Sequence, residues 1–354
     1  MLRIATFALG ALVIAVTILS LLRSKAWWIR IWDFPRLQIM VAGGVAIVAG
    51  SLVTQSLDPG MRWIFLGTLT LTVVYQAAII WRFSPLAPHE VQRSAGADTN
   101  ALLSLAISNV LQTNRDAERL IEVLRAADAD VVLCVETDDW WRQQLDALRE
   151  THPHTIQCAL PNTYGMLLYS RLPLNDTSID FLVEDDIPSM QARIRLRGGQ
   201  LVWLNCVHPR PPAPSANDRS LERDAELLLV GKRVCDAQVP VVVCGDLNDV
   251  AWSRTTRLFQ KTSRLVDPRK GRGLFSTFHA RIPLLRFPLD HILHSDDFRI
   301  VSMRRLDYVG SDHFPVYAML SFEPSAKRHQ EAPTADSGDK QEAQETIAEG
   351  VSKM

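Results

Sequence analysis

Polar side chains stand at the ends of several apolar, strand-like runs beyond residue 100. They are carboxylates, carboxamides and imidazoles: Asn109, Glu136, His208, Asp246, Asn248, Asp290, Asp312 and His313. If the strands share one or two sheets, these groups converge on one rim, where clustered carboxylates are costly unless a cation or hydrogen bonds compensate them. Oxygen ligands suit a hard cation such as Mg²⁺, and histidines beside it suit proton transfer and contact with a phosphate.

Each of these residues also has an ordinary structural explanation when it is taken alone. An Asn after a strand is usually a turn residue, a Glu there is often a solvated edge, and a single His is more often structural. Asp246 with Asn248 could form a plain Asp turn, and residues 311–313 could form a capped loop. The functional interpretation therefore depends on their joint occurrence.

Three further residues are candidates for substrate contact. Arg193 lies on a strand ahead of His208 and could face a phosphate, Arg210 lies in the stiff Pro-rich loop 208–215, and Trp252 closely follows Asn248. Packing or a plain connecting loop explains the same residues equally simply.

The elements that must position these residues are short apolar runs alternating with helical segments. The patterns predict strands that end at Asn109, Glu136, His208 and Asp246, and amphipathic helices near 117–127, 137–149 and 218–235. We expect one domain over 100–322, a linker over 84–99 and a disordered polar tail over 323–354.

Three uncharged stretches precede that domain, at 4–22, 37–57 and 63–81. About 20 residues cross a hydrocarbon core of roughly 30 Å, so residues 1–83 are predicted to hold three transmembrane helices. A cleaved signal peptide would explain the first stretch alone, and uncharged helices this long are rare in soluble bundles.

Basic residues flank these stretches unevenly. Six of them lie on the side that the C-terminal domain shares: Arg23, Lys25, Arg30, Arg36, Arg82 and Arg93. Arg3 and Arg62 lie on the other side. The positive-inside rule then predicts a cytoplasmic catalytic domain and an external N-terminus, although Arg3 so close to the first span is a mild counter-signal.

Overall composition narrows the function only weakly. The formal net charge is −1, so the chain carries no global basic footprint for nucleic acid, although a nuclease with local contacts remains compatible. The five cysteines form no CxxC motif, and Cys134, Cys206 and Cys244 lie in apolar runs. They are expected to be buried small hydrophobic residues rather than zinc ligands or disulfides.

In order, the chain carries SNV, DVVLCVE, a strand ending in His208, GDLN, a strand-leading Asp290 and SDHFP. This series resembles the DNase I-like endonuclease/exonuclease/phosphatase superfamily, and in particular a bacterial membrane-anchored branch of it. The resemblance implies an α/β (α+β) fold: a four-layer sandwich of two packed mixed sheets with helices outside, here preceded by the three transmembrane helices. The active site would lie at one edge of the sheets.

The resemblance also implies roles for the polar residues. Asn109, Glu136 and Asp312 would stand at a Mg²⁺ ion, for which Mn²⁺ is a possible substitute, with Glu136 as the principal ligand. Asp246 and Asn248 would orient the attacking water. His313, oriented by Asp290, would contact the phosphate and assist proton transfer, and His208 would contact the phosphate or protonate the leaving oxygen.

The chain departs from the family pattern in two places. Val135 stands where many relatives have Gln, which puts one supporting contact of the metal site in doubt, and Leu247 stands where Phe is common. The domain is also short, so substrate-gripping loops of some relatives are expected to be missing.

The resemblance leaves the substrate open. A membrane-anchored, nuclease-like phosphodiesterase is one interpretation, a phospholipid or inositol-phosphate phosphoesterase is the second, and a non-catalytic membrane scaffold is the third. The expected partners are the lipid bilayer and a phosphoester substrate, with no obligate protein partner evident. The expected location is a bacterial inner membrane.

Overall fold

The structure is a computed structural model that describes residues 1–22, 24–96, 98–211 and 220–352. The residues outside this description include Arg23, half of the Pro-rich loop 208–215 and the first residues of the helix expected from 218.

The N-terminal region is helical. Its helices are α1 (Leu2–Leu21), α2 (Trp27–Arg30), α3 (Arg36–Val53) and α4 (Pro59–Ile80). Asp58 begins α4, because its carboxylate accepts a hydrogen bond from the Met61 amide and Pro59 takes the first helical position. Three of the helices are long and apolar enough to cross a membrane, close to the predicted bounds.

A buried polar residue joins these three helices. Gln76 of α4 accepts a hydrogen bond from Arg36 at the start of α3 (2.9 Å) and donates one to the Thr17 hydroxyl of α1 (2.8 Å). Hydrogen bonds between polar side chains of neighbouring helices can hold the helices together where there is little water to compete. The outer faces of the helices expose Leu12, Val45 and Leu71.

The domain that follows contains two sheets. In chain order the strands are β1 (Leu102–Asn109), β2 (Val131–Val135), β3 (His154–Cys158), β4 (Met166–Ser170), β5 (Leu174–Asp180), β6 (Ser189–Arg195), β7 (Leu201–Cys206), β8 (Val241–Asp246), β9 (Asp290–His294), β10 (Phe298–Arg305) and β11 (Val316–Phe322). The orders are β10-β11-β1-β2-β4-β3 and β5-β6-β7-β8-β9. Parallel and antiparallel pairs occur in both, as predicted.

The two sheets pack face to face, and helices cover their outer faces. Alternate residues such as Leu105, Leu133, Leu204 and Val242 form the core between the sheets. Helices α5 (Ala117–Ala127) and α6 (Asp139–Leu145) cover the first sheet, whereas α7 (Leu221–Cys235) and α8 (Arg254–Ser263) cover the second. The four-layer sandwich is confirmed. All five cysteines are free, and Cys134, Cys206 and Cys244 are buried.

Strand direction brings the polar rim together. Because β1 and β2 are parallel, as are β7 and β8, the carboxyl ends within each pair lie at the same edge. Strands β9 and β11 run antiparallel to their neighbours and begin at those edges.

Two segments are more ordered than the sequence suggested. The expected linker packs on the domain: Ser94 donates a backbone hydrogen bond to Ile300 (2.9 Å), Ile300 donates one to Gln92 (3.0 Å), and Val91 is buried. The physical reason is that β10 is an edge strand whose backbone groups would otherwise lack protein partners.

The C-terminal segment is not disordered in the part that the structure describes. Helix α9 (Ser337–Val351) begins with a capping box between Asp336 and Asp339. Its Ala343 and Ile347, four residues apart, pack against α7 and α8. The apolar face of α9 has only one residue per turn. It is therefore too narrow to be recognised in the sequence as the periodicity of an amphipathic helix.

Candidate active site

Asn109 lies at the centre of the cluster of polar residues at the sheet edge. It ends β1, is 1% exposed, and its Nδ2 donates to Glu136 Oε1 at 2.8 Å and to Asp246 Oδ2 at 3.1 Å. The two carboxylates come from different sheets, so this amide joins the halves of the sandwich. Glu136 has a left-handed backbone with φ of 62°, a conformation that costs a non-glycine residue free energy and is often found at functional sites.

His313 and Asp290 form a buried pair beside Asn109 and Asp246. Nδ1 of His313 lies 2.8 Å from Asp290 Oδ2, and its Nε2 lies 3.6 Å from Asp246 Oδ2. Burial alone would lower the pKa of His313, but the carboxylates of Asp290 and Asp246 outweigh it and raise the pKa to about 10. The ring is therefore an imidazolium at neutral pH.

The loop after β8 holds its shape through local hydrogen bonds. Asp246 Oδ1 accepts a hydrogen bond from the Asn248 amide (2.9 Å), and the Asn248 side chain donates to the carbonyl of Pro209 (2.9 Å). Burial opposes ionisation of Asp246, but the neighbouring His313 holds the pKa of this carboxyl below its usual value. Asp246 is thus a buried carboxylate with defined orientation.

His208 faces the same cluster from the end of β7. It is 2% exposed, and its ring lies 5.6 Å from that of Tyr164. Burial lowers the pKa of His208 to about 4, so this ring is neutral at neutral pH. The two histidines therefore differ in charge, which their residue type alone could not show.

The cluster has the character of a cation site. Burial raises the pKa of Glu136 to about 7, because nearby hydrogen bonds and His313 do not fully offset desolvation and the charges of Asp246 and Asp312. Asp290 Oδ1 and His208 Nδ1 have no hydrogen-bond partner among the described residues. A hard divalent cation would favour the ionised form of Glu136, so these oxygen donors fit such an ion.

A second set of atoms is also close enough to hold a metal ion. One ligand atom each of Asp246, Asp290 and His313 lie within 4.8 Å of one another. However, the His313–Asp290 hydrogen bond and the proton on this ring compete with coordination there.

The remaining predicted residues divide into two groups. Asp312 lies at the rim, half-buried, and its charge contributes to the raised pKa of His313. Arg210 stacks over Tyr164 at 5.1 Å and donates to Glu184 at 2.9 Å, so it stands at the edge of the His208 side.

Arg193 and Trp252 are not brought to the cluster. Arg193 stacks on Trp203 at 4.1 Å, and in the antiparallel β6 it is Met190 that lies opposite Cys206 at the catalytic edge. Trp252 is 3% exposed and its indole N–H donates to the carbonyl of Asp33 at 2.6 Å. Its ring packs on Phe83, at the junction with the membrane-type helices.

Sequence reasoning missed three residues of the site. Phe278 packs against the His313 ring at 5.0 Å, and Tyr164 packs against His208. The Ser311 hydroxyl donates to the Asn109 carbonyl (2.8 Å) and accepts from the His313 amide (3.0 Å). Ser311 lies within the SDHFP motif and could have been found there, whereas neither aromatic residue carries a local signal.

Residues 99–313 match the profile of the Endonuclease/Exonuclease/phosphatase family. The matched range includes the whole cluster from Asn109 to His313. No curated protein matches the chain significantly by sequence.

Several solved structures share this architecture. D. rerio TDP2 complexed with a single-strand DNA product is similar with a TM-score of 0.52 and 16% identity over 62% of this chain and 99% of that one. The human Nocturnin catalytic domain with bound sulfate is similar with a TM-score of 0.51 and 16% identity, over 66% of this chain and 99% of that one. An endonuclease/exonuclease/phosphatase from Beutenbergia cavernae is similar with a TM-score of 0.51 and 20% identity, over 63% of this chain and 72% of that one. At these identities the likeness shows a shared fold.

Proposed function

Since the chain belongs to the endonuclease/exonuclease/phosphatase family and is thus a hydrolase of phosphoester bonds, we propose that it cleaves a phosphodiester at a membrane surface with Mg²⁺ and His313. The observation that carries the proposal is the Asn109 amide, which joins Glu136 and Asp246 beside the buried His313–Asp290 pair. This arrangement places acidic oxygens and a positive ring at one point.

Glu136 would be the principal ligand of the metal ion, with Asn109 and Asp312 beside it. Mg²⁺ suits these oxygen donors, and Mn²⁺ is expected to substitute for it. When bound, the ion would stabilise negative charge on the phosphoryl oxygens.

The protein's own residues would orient water and contact the phosphate. Asp246, an ionised carboxylate fixed by Asn109 and Asn248, accepts a hydrogen bond from the attacking water. The positive ring of His313 donates to a phosphoryl oxygen and Asp290 holds its orientation. His208 is neutral because of burial and contacts the phosphate through a ring N–H. A neutral imidazole is less suited than an imidazolium to protonating the leaving oxygen.

Arg210 is the substrate-contact residue that we retain. It stands beside Tyr164 on the His208 side, where a basic group could meet a second part of the substrate. Arg193 and Trp252 have packing partners away from the cluster, so we give them no part in substrate contact.

Membrane anchorage through α1, α3 and α4 is the second element of the proposal. Their length and hydropathy support it, and we keep the expected topology, with the catalytic domain in the cytoplasm of a bacterial cell and the helices in its inner membrane. Protease treatment of right-side-out spheroplasts tests this topology. Digestion of the catalytic domain from outside would contradict it.

The non-catalytic scaffold is the weaker alternative, because every expected polar residue is present at the edge.

The test uses the full chain purified in detergent, because α2 and α4 contact the catalytic domain. Hydrolysis of the soluble diester bis(p-nitrophenyl) phosphate is measured with Mg²⁺, Mn²⁺ or EDTA. Glu136→Gln and His313→Asn are each expected to lower the rate by about 10²-fold or more, and EDTA to abolish it. The matched controls are Glu150→Gln, which is exposed, and His154→Asn, which is half-buried on β3. Full rates in EDTA, or in both site variants, would refute the proposal.

A further inference from the structure

An open, basic cavity lies where the catalytic domain meets the start of α3. Its volume is about 550 Å³, and it is lined on one side by Leu37 and Gln38 of α3 and on the other by Arg286, Arg304 and Arg305. The two arginines of β10 lie at the end of that strand, where Arg305 pairs with Val316. The cavity is therefore close to the catalytic edge but outside the cluster around Asn109.

The arginines of this cavity lack acidic partners. Arg286 and Arg305 stack over the same Phe314 ring, at 5.1 and 4.2 Å. Their hydrogen bonds go to the carbonyls of Ala280 and Ser276, both at 3.1 Å, and Nε of Arg286 has no partner among the described residues. Within the part of the chain that the structure describes, neither they nor Arg304 form an ion pair.

The positive charges of Arg286 and Arg305 are close enough to oppose each other. Partial burial and then the charge of Arg286 lower the pKa of Arg305. Elsewhere among the described residues, arginines such as Arg210 beside Glu184 and Arg299 beside Glu323 form ion pairs. A cluster of like charges without acidic partners favours a bound anion.

An apolar loop borders the cavity on the membrane side. Ile282, Leu284 and Leu285 expose 42%, 77% and 46% of their surface. The Gln38 side chain donates to the carbonyl of Leu284 at 2.7 Å, which fixes the loop beside the first turn of α3. If α3 enters the bilayer there, these leucines lie at the level of the acyl chains and the arginines lie at the level of the headgroups.

We propose that Arg286, Arg304 and Arg305 bind the phosphate of an anionic phospholipid, whose acyl chains pack against Leu37 and Leu284. The proposal depends on the membrane anchorage proposed above but not on catalysis. A nucleic-acid backbone is the competing polyanion. It fits less well, because one wall of the cavity is the apolar start of a membrane-type helix and the chain as a whole has a net charge of −1.

A bound lipid here would hold the catalytic edge against the bilayer surface. The two arginines stack over the Phe314 ring, and Phe314 directly follows His313 in the sequence. The lipid phosphate would therefore lie on the opposite side of Phe314 from the His313 ring. A phosphodiester exposed at the membrane surface is then the substrate class that can reach the site most directly.

The experiment measures lipid binding to the full chain in detergent by native mass spectrometry. The ligands are phosphatidylglycerol, phosphatidylcholine, inorganic phosphate and a single-stranded oligonucleotide. The test variant is R286Q/R305Q. The control is R142Q/R149Q, which replaces one arginine of α6 and one that follows it, both partly exposed, and changes the net charge equally. Thermal melting checks that each variant is folded.

We expect the wild type and the control to bind phosphatidylglycerol in preference to phosphatidylcholine. R286Q/R305Q is expected to bind phosphatidylglycerol roughly ten- to thirty-fold more weakly, since each arginine near a membrane surface contributes a several-fold gain. Should this variant not fold, R304Q replaces it with an expected loss of about five-fold.

Three outcomes would overturn the proposal: equal weakening in the control, no preference for the anionic lipid, or displacement of the lipid by the oligonucleotide at lower concentration. Saturation by inorganic phosphate without lipid preference would indicate a phosphate site that does not recognise lipid. Turnover of the soluble diester in the same samples reports on catalysis separately, so a failure of the proposed function and a failure of the lipid site are distinguishable.

Discussion

The guanidinium of Arg30 lies 3.5 Å from the carboxylate of Asp249. The first residue belongs to α2, between two membrane-type helices, and the second directly follows Asn248 in the catalytic loop. Arg30 is 7% exposed and also donates to the Thr255 hydroxyl at 2.9 Å. The N-terminal helical region is therefore joined to the domain that holds the candidate site by a buried charge.

Replacing this charge is expected to destabilise the whole protein. Arg30→Met leaves Asp249 and Asp224 to share Arg223, and loss of one partner from a buried ion pair typically costs about 3–5 kcal/mol. The expected result is a clear fall in the melting temperature of the detergent-solubilised chain. Lys25→Met is the control, because its ion pair with Glu349 is partly exposed. Equal melting temperatures for Arg30→Met and the wild type would contradict this role.

Removing the partner of His313 is expected to change the pH profile of the rate. With Asp290 present, the pKa of His313 is raised to about 10, so activity that needs the positive ring persists up to that pH and falls above it. Asp290→Asn should move the alkaline limb to lower pH and reduce kcat by on the order of 10²-fold. Rates of diester hydrolysis across pH, with exposed Asp139→Asn as the control, provide the check. An alkaline limb that stays in place would rule out this positioning role.

The glycine of GDLN should not accept a side chain. Gly245 has φ of +143°, and a Cβ there would lie 1.9 Å from the carbonyl oxygen of Val207. We expect Gly245→Ala to lower stability by several kcal/mol, seen as a loss of folded protein in thermal melts. Gly44→Ala, where an added Cβ meets nothing within 4 Å, should be neutral or slightly stabilising. Normal melting of Gly245→Ala would show that the strand can shift to make room.

Glu226 should make stability depend on pH. It is buried in α7, accepts a hydrogen bond from Ser189 at 2.7 Å, and burial raises its pKa from 4.5 to about 8. Between these values the unfolded carboxyl is ionised while the folded one keeps its proton. The contribution of Glu226 is thus complete below pH 4.5 and is lost as the pH rises through about 8, at up to about 1.4 kcal/mol per pH unit.

The corresponding measurement compares melting temperatures of the wild type and Glu226→Gln across this range. The variant should lose less stability than the wild type as the pH rises. Parallel curves for the two proteins would mean that Glu226 is ionised in the folded state.

The sequence by itself determined the membrane-type helices and the residues at the strand ends. An uncharged run long enough to span a bilayer is a local property, and so is a polar residue after a buried strand such as Val241–Asp246. Because parallel strands end at the same edge of a sheet, the local pattern was sufficient to predict that Asn109 and Glu136 would meet. That Asp246 joins them from the other sheet depends on how the two sheets stack.

Tertiary structure alone decided which groups are charged and what joins the two halves of the chain. His208 and His313 are the same residue type, but only His313 lies beside two carboxylates, so their pKa values separate in opposite directions. Trp252 packs toward the N-terminal helices rather than at the site because Phe83, far away in sequence, lies against it. Pairing between distant segments depends on how the sheets and helices stack, and no local pattern of residues encodes that stacking.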